Sequence, residues 1–204
     1  MHRAALVFVI ATLNHPAAIF RAPSLHTWTR HVVPLYTPLS HQRTSLPVLG
    51  RRRRFLHVLL PGRPNGHSGW ILARKAKTWK TPWHVVVNTR SKRLFVFNGR
   101  RIVRSFAVVV GKPSTPTPRG RFFVEEAIIL PRRTPGRPYA FALSARSHVF
   151  QEFDGGPGQI AIHGTYGIGG TPGRAESHGC IRAAARTLAF MIRRFGTGTP
   201  VLIR

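Results

Sequence analysis

Cysteine is nearly absent from this chain: among 204 residues only Cys180 carries a thiol. One cysteine excludes an intramolecular disulfide, so it is either a small buried filler or a reactive group. Acids are scarce too. Glu125, Glu126, Glu152, Asp154 and Glu176 stand against 32 lysines and arginines, a formal net charge of +27. So few carboxylates leave little for calcium or magnesium cages, which need several oxygen ligands. A glycosidase pair could come only from Glu152 with Asp154, about 6.6 Å apart along a strand, and no other feature supports it. Long apolar runs are missing as well. The stretch Ala4–Leu13 covers ten residues, where a membrane-crossing helix needs about 20, so no stable membrane span is expected.

What is present suits a globular β-rich chain. Hydrophobic residues make up 43%, and the length holds one domain, or a small module followed by a larger one. The arginines spread over the whole chain. A solvated basic surface is the plain reading, and a field of this sign also attracts anionic cell-wall polymers. Aromatics fall at strand-core spacing instead of on a stacking platform, so no specific nucleic acid is expected. Met1-His2-Arg3 followed by the Ala4–Leu13 run has the form of a basic n-region and apolar h-region. Residues 1–22 therefore read as a signal segment, implying export to the cell envelope or wall.

Turn residues divide the rest. Phe55–Leu60, then Asn65-Gly66, then Trp70-Ile71 is a hairpin pattern. The ending Gly69-Trp70-Ile71 resembles bacterial SH3-like modules, which implies a small β module over 31–76. Lys75–Pro82 reads as a linker. A second hairpin follows, Arg93–Phe97 and Arg101–Val103 around Asn98-Gly99, a pair suited to a type I′ turn. Further strands are expected at Phe122–Val124, Ala127–Leu130, Phe141–Leu143, Val149–Phe153 and Gln159–His163, with a last one at Val201–Ile203. One helix is expected from Ala183 onward, with Ala184, Leu188, Met191, Ile192 and Phe195 at helical spacing and Gly196 as its stop. Many short strands with one helix after the cysteine make a mainly β fold, a sandwich or barrel.

The chemistry gathers around Cys180, in the run Ser177-His178-Gly179-Cys180-Ile181-Arg182, with Ile162-His163-Gly164-Thr165 upstream. Catalysis by a thiol needs the thiolate. The start of the expected helix and the basic field would both lower the Cys180 pKa. His163, at a strand end, could take the thiol proton. Glycines at 164 and 179 allow tight turns and close approach. Amides near Gly179 and Cys180 could hold a developing oxyanion. The histidine needs a partner to fix its tautomer. The four Asn, at 14, 65, 88 and 98, are remote in sequence, so a backbone carbonyl, that of Gly164, is the economical choice.

Together with Leu94–Phe97, Val108–Gly111 and Thr115–Gly120, these two blocks resemble the L,D-transpeptidase catalytic domain (YkuD-like) family over residues 83–204. The resemblance implies Cys180 as acylated nucleophile, His163 as base and Gly164 as carbonyl partner of that histidine. It also implies His178 as a pocket wall and Gly179 with Cys180 as the oxyanion hole. Ser177, Thr165 and Arg182 would face substrate, with Arg182 either holding a carboxylate or bracing the site. The implied reaction attacks a peptidoglycan tetrapeptide stem after its third residue, a diamino acid. It releases the terminal D-alanine, forms a thioester and passes the acyl group to an amine, or to water. It calls for no cofactor, its partners are stem peptides, and its thiol is open to acylation by carbapenems. Two other readings stay open at this point. His163, His178 and Cys180 could ligate a hydrolytic zinc, or the chain could be a basic wall-binding protein without catalysis.

Overall fold

The computed structural model describes residues 5–153 and 155–204. The first part of the chain forms seven strands: β1 (Phe8–Leu13), β2 (Ala17–Phe20), β3 (Trp28–Val33), β4 (Ser45–Arg52), β5 (Phe55–Leu59), β6 (Ser68–Leu72) and β7 (Ala76–Thr81). They make one antiparallel sheet in the order β3-β2-β6-β5-β4-β1-β7. The β5–β6 hairpin closes at Leu59 opposite Ser68, as the Asn65-Gly66 pattern predicts.

Two stretches take a different form in the structure from their sequence reading. The apolar run read as a signal segment is strand β1, paired on one side with β4 and on the other with β7. Its Ile10, Ala11 and Leu13 are fully buried. Ala17 and Phe20 of β2 are buried as well, so residues 8–20 belong to the sheet; Met1 to Ala4 lie outside the described residues. The stretch read as a linker is mostly β7, which completes the sheet. The N-terminal sheet runs from Phe8 to Thr81, and the expected module 31–76 lies within it. Neither strand shows a clean period-two pattern, and β1 and β7 face each other only after the chain has folded back.

The second part begins with β8 (Trp83–Asn88), β9 (Arg93–Asn98), β10 (Arg101–Ala107), β11 (Val110–Gly111), β12 (Gly120–Ile129) and β13 (Tyr139–Arg146). It continues with β14 (Gln159–His163), β15 (Ala175–Ser177), β16 (Ile181–Arg182), helix α1 (Ala185–Ile192) and β17 (Pro200–Ile203). Eight of these strands form a mixed sheet, β10-β9-β8-β17-β12-β13-β14-β16, while β11 pairs in parallel with β15. The fold is mainly β with one α-helix, as the strand and helix patterns predict.

Local details differ from the sequence reading. In the β9–β10 hairpin Asn98 pairs with Arg101, so Gly99 is the first central residue, at φ +58. Only Gly99 of that turn has positive φ, the sign pattern of a II′ turn instead of I′. The expected strands 122–124 and 127–130 are one strand, β12, with an irregularity after Val124. Val149–Phe153 is a loop. The Ser147 hydroxyl accepts both the Val149 and Phe150 amides, at 3.1 and 3.0 Å, and captures backbone donors that a sheet would need. Helix α1 starts two residues later than expected and ends before Gly196, yet Leu188, Met191 and Phe195 are buried as its spacing predicts.

Strand β12 ties the two parts together by simple alternation. Phe122 and Val124 enter the core under α1, whereas Phe123 enters the core of the N-terminal sheet. The Gln42 side chain adds a strand-like link, donating to the Ala127 carbonyl at 2.9 Å.

Candidate active site

Strands β14 and β16 run parallel, with Ile162 opposite Ile181 and His163 opposite Arg182. Both isoleucines are fully buried in the core. Alternation then turns Ala161, His163, Cys180 and Arg182 to the other face. Nineteen residues apart, Ala161 and Cys180 meet directly: the Ala161 amide donates to Cys180 Sγ at 3.4 Å. The two sequence blocks are thus neighbours on one sheet edge.

His163 Nδ1 lies 2.9 Å from the Gly164 carbonyl oxygen. A carbonyl only accepts, so Nδ1 carries the proton and Nε2 keeps its lone pair. The Gly164 carbonyl is held in turn by close backbone packing. The Gly164 amide donates to the Gly136 carbonyl at 2.6 Å, and the Gly136 amide donates to the Tyr166 carbonyl at 2.7 Å. Both glycines are required by space. A Cβ on Gly164 would fall on the Arg137 carbonyl oxygen, and one on Gly136 would sit 2.9 Å from His163 Nδ1.

Burial pushes the Cys180 thiol up from its ordinary value, against weaker downward pulls from the Ala161 amide and Arg182. Burial also lowers the His163 pKa; the Gly164 hydrogen bond opposes this and Arg182 adds to it. Burial thus favours the neutral form of both groups. This corrects the expectation of a thiol acidified by a helix start. Cys180 is followed by β16, Ala183 and Ala184 before α1 begins, so the helix amides are too far along the chain to act on Sγ.

The turn carrying the thiol is braced from within. Ser177 is fully buried, and its hydroxyl donates to the Cys180 carbonyl at 2.5 Å and accepts the Gly179 amide at 3.1 Å. Ser177, expected to face substrate, has its hydroxyl turned into the turn that it braces. The Gly179 amide is engaged too, while the Cys180 amide has no acceptor among the described residues. Gly179 has φ +121, a conformation that favours glycine, and its missing side chain leaves room for Ile160.

Thr115 and Thr117 were not singled out by sequence reasoning as site residues. Both are buried, and their hydroxyls donate to the Ser177 and Gly179 carbonyls at 3.1 and 2.8 Å. The available signal was the spacing Thr115-Pro116-Thr117-Pro118, since alternate residues of an extended segment share a face. Glu125 was missed as well. It pairs with Arg146 at 3.1 Å and accepts Gln159 Nε2 at 2.8 Å, fixing the start of β14. Burial raises its pKa more than Arg146 lowers it.

Arg182 donates through Nη1 to the Ile168 and Gly169 carbonyls, at 3.1 and 3.4 Å, so it braces the glycine-rich loop. Thr165 is half-buried, and its carbonyl accepts the Ile168 and Gly169 amides of the same loop. His178 is exposed and packs against Phe150 and Phe153, with centroids 6.2 and 6.0 Å away. Among the described residues no three His, Cys, Asp or Glu side chains converge, so His163, His178 and Cys180 do not form a zinc donor set. Glu152 is exposed on the 147–158 loop, and Asp154 lies outside the described residues.

Comparison with known proteins agrees with this geometry. The chain is 28% identical over 147 residues to YkuD of Bacillus subtilis (strain 168), covering 72% of this chain and 73% of that protein. With YkuD of Bacillus licheniformis it shares 30% identity over 123 residues, covering 60% and 66% respectively. Among solved structures, the LD transpeptidase LdtMt1 in complex with imipenem superposes with a TM-score of 0.50 at 16% identity. That match covers 84% of this chain and 100% of LdtMt1, and shows the shared fold. The profile of the L,D-transpeptidase catalytic domain matches residues 82–203, the part that holds the thiol and its histidine, and the chain belongs to that family.

Proposed function

We propose that the protein forms peptidoglycan crosslinks through a thioester on Cys180. The observation that carries this reading is the His163 tautomer: Nδ1 is committed to the Gly164 carbonyl, leaving Nε2 as a base on the face shared with Cys180. The thiol gives its proton to His163 Nε2 as sulfur attacks the carbonyl after the third residue of a stem tetrapeptide. The Cys180 amide, without an acceptor among the described residues, would stabilise the oxyanion. Collapse breaks the peptide bond, the imidazolium proton goes to the departing D-alanine amine, and a thioester remains. An acceptor amine then gives a proton to His163 and displaces the thiolate, which is reprotonated. Water in place of the amine would make the enzyme a carboxypeptidase.

Two neutral partners suit this order of events. A resting thiol protected by burial loses its proton only when substrate brings an electrophile to it. In this reading His178 forms a wall of the donor pocket, Thr165 lines it, and Arg182 acts through the loop it braces. The N-terminal sheet is an SH3-like module that acts outside the cytoplasm, where stem peptides and anionic wall polymers both carry negative charge.

The test is direct. The full chain is incubated with a purified stem tetrapeptide and with imipenem, and its intact mass is measured. We expect one adduct per chain on Cys180, lost in Cys180→Ala, and crosslinked dimers on addition of an acceptor stem. Turnover in His163→Ala should fall by about 10²–10⁴-fold. Unchanged processing of stems by Cys180→Ala would end the proposal.

A further inference from the structure

The N-terminal sheet reaches toward the active-site region through Arg63 and Asn65. Arg63, in the loop between β5 and β6, donates to three carbonyls of a single loop of the other sheet. Its Nη2 donates to Ser147 and Phe150, each at 2.9 Å, and its Nη1 donates to Pro157, also at 2.9 Å. Two residues on, Asn65 closes a reciprocal pair with Arg146: Nδ2 donates to the Arg146 carbonyl at 2.7 Å, and Oδ1 accepts the Arg146 amide at 2.8 Å. The Gly62 amide adds a bond to the Ser144 carbonyl at 3.2 Å. These partners span both ends of the 147–158 loop.

That loop carries the two rings that hold His178. Phe153 stacks on the imidazole at an interplanar angle of 30°, Phe150 meets it at 64°, and the two phenyl rings pack on each other at 5.3 Å. His178 is two residues before Cys180. From Arg63 to the loop, to the paired rings and to the imidazole, each step is a direct contact.

We propose that Arg63 is a positioning residue for donor binding: by gathering three carbonyls it fixes the 147–158 loop, and thereby the aromatic wall at His178. The fork is essential. A planar guanidinium presents two nitrogens toward separate carbonyls at once, whereas a lysine ammonium is a point charge on a flexible stem. Neither His163 nor the tautomer-fixing Gly164 carbonyl lies on this path, so proton transfer is untouched and substrate encounter is what changes. The inference rests on the thioester reading above for its functional consequence, and on the hydrogen bonds alone for its structural one.

The experiment uses the full chain as wild type, Arg63→Ala and Arg63→Lys. Amide exchange is followed over 147–158, together with acylation by a stem tetrapeptide resolved into half-saturating concentration and limiting rate. In Arg63→Ala we expect loop amides to exchange about tenfold faster while β13 and β14 keep their protection. Half-saturation should rise about tenfold with the limiting rate within about twofold. Alkylation of Cys180 by iodoacetamide, too small to need the wall, should be unchanged. Arg63→Lys should behave like the alanine variant. Unchanged loop exchange in Arg63→Ala, or full recovery by lysine, overturns the proposal while a normally acylated wild type leaves the thioester reading standing. A wild type that is never acylated removes that reading and this functional role with it.

Discussion

Glu126 in β12, with no exposed surface, accepts the Ser40 amide at 2.7 Å and the Ser40 hydroxyl at 2.6 Å across the boundary between the two sheets. The Leu39 amide reaches the same carboxylate, at 3.3 Å to one oxygen and 3.2 Å to the other. One acid of the catalytic part thus satisfies three donors from a loop of the N-terminal part. Its neighbour Phe123 buries its ring in the N-terminal core. The N-terminal sheet is built onto the catalytic domain by both polar and apolar contacts.

Glu126→Ala leaves those donors without their carboxylate acceptor. The expected loss is about 1–3 kcal/mol of unfolding free energy, with Glu126→Gln losing less because one oxygen remains. Denaturant melts of the three proteins check this, and equal midpoints would mean water replaces the carboxylate freely.

The acid limb of acylation should lie below 6.5, the ordinary histidine value, because burial lowers the His163 pKa. As pH falls, the lowered value keeps the base form available longer than a free imidazole would. In His163→Ala no base assists, and the midpoint of Cys180 alkylation against pH should lie above 9.0, the ordinary thiol value, because burial raises it. A pH profile of carbapenem acylation beside one of alkylation measures both. The linkage has a definite sign. Between its folded and unfolded pKa values His163 binds fewer protons folded than unfolded, so its contribution makes stability fall as pH drops through 6.5.

Gly164→Ala tests the support of the histidine. The new methyl would collide with the Arg137 carbonyl, forcing the backbone apart at a cost of about 1–3 kcal/mol. Moving the 164 carbonyl also frees His163 Nδ1, so acylation should slow by more than the loss of stability explains. Thermal melts and single-turnover rates separate the two effects.

Thr117→Val keeps the shape and removes one hydroxyl. The Gly179 carbonyl then loses its donor and the Gly111 amide its acceptor. Leaving such buried groups unpaired costs about 1–3 kcal/mol. Because Gly179 precedes the nucleophile, acylation should fall as well, readable by the rate of imipenem labelling. Thr115→Val should act in the same direction through the Ser177 carbonyl.

Much of the site is readable from residue types alone. A lone thiol, a His-Gly block and a Ser-His-Gly-Cys block already suggest the proposed nucleophile and base and the glycines that let backbones approach. The carbonyl of Gly164 is predictable because it lies one residue from the ring it holds. Features that depend on distant partners are not readable. Ser177 looks like a substrate contact beside the catalytic residues, yet its hydroxyl points inward to the Cys180 carbonyl. Thr115 and Thr117 lie more than sixty positions from the carbonyls they hold. The run Phe8–Leu13 has the composition of an export signal, and only pairing with β4 and β7 makes it a core strand.

The sequence by itself determined the mainly β class, the hairpins around their turn residues, the one helix and the candidate reacting side chains, because these follow from local alternation, turn chemistry and side-chain type. Tertiary structure decided the burial of the thiol and imidazole, the hydrogen-bond partners of Thr115, Thr117 and Ser177, and the joining of the two sheets. Those properties depend on burial and on hydrogen-bond partners brought from afar, and neither is encoded at any single position.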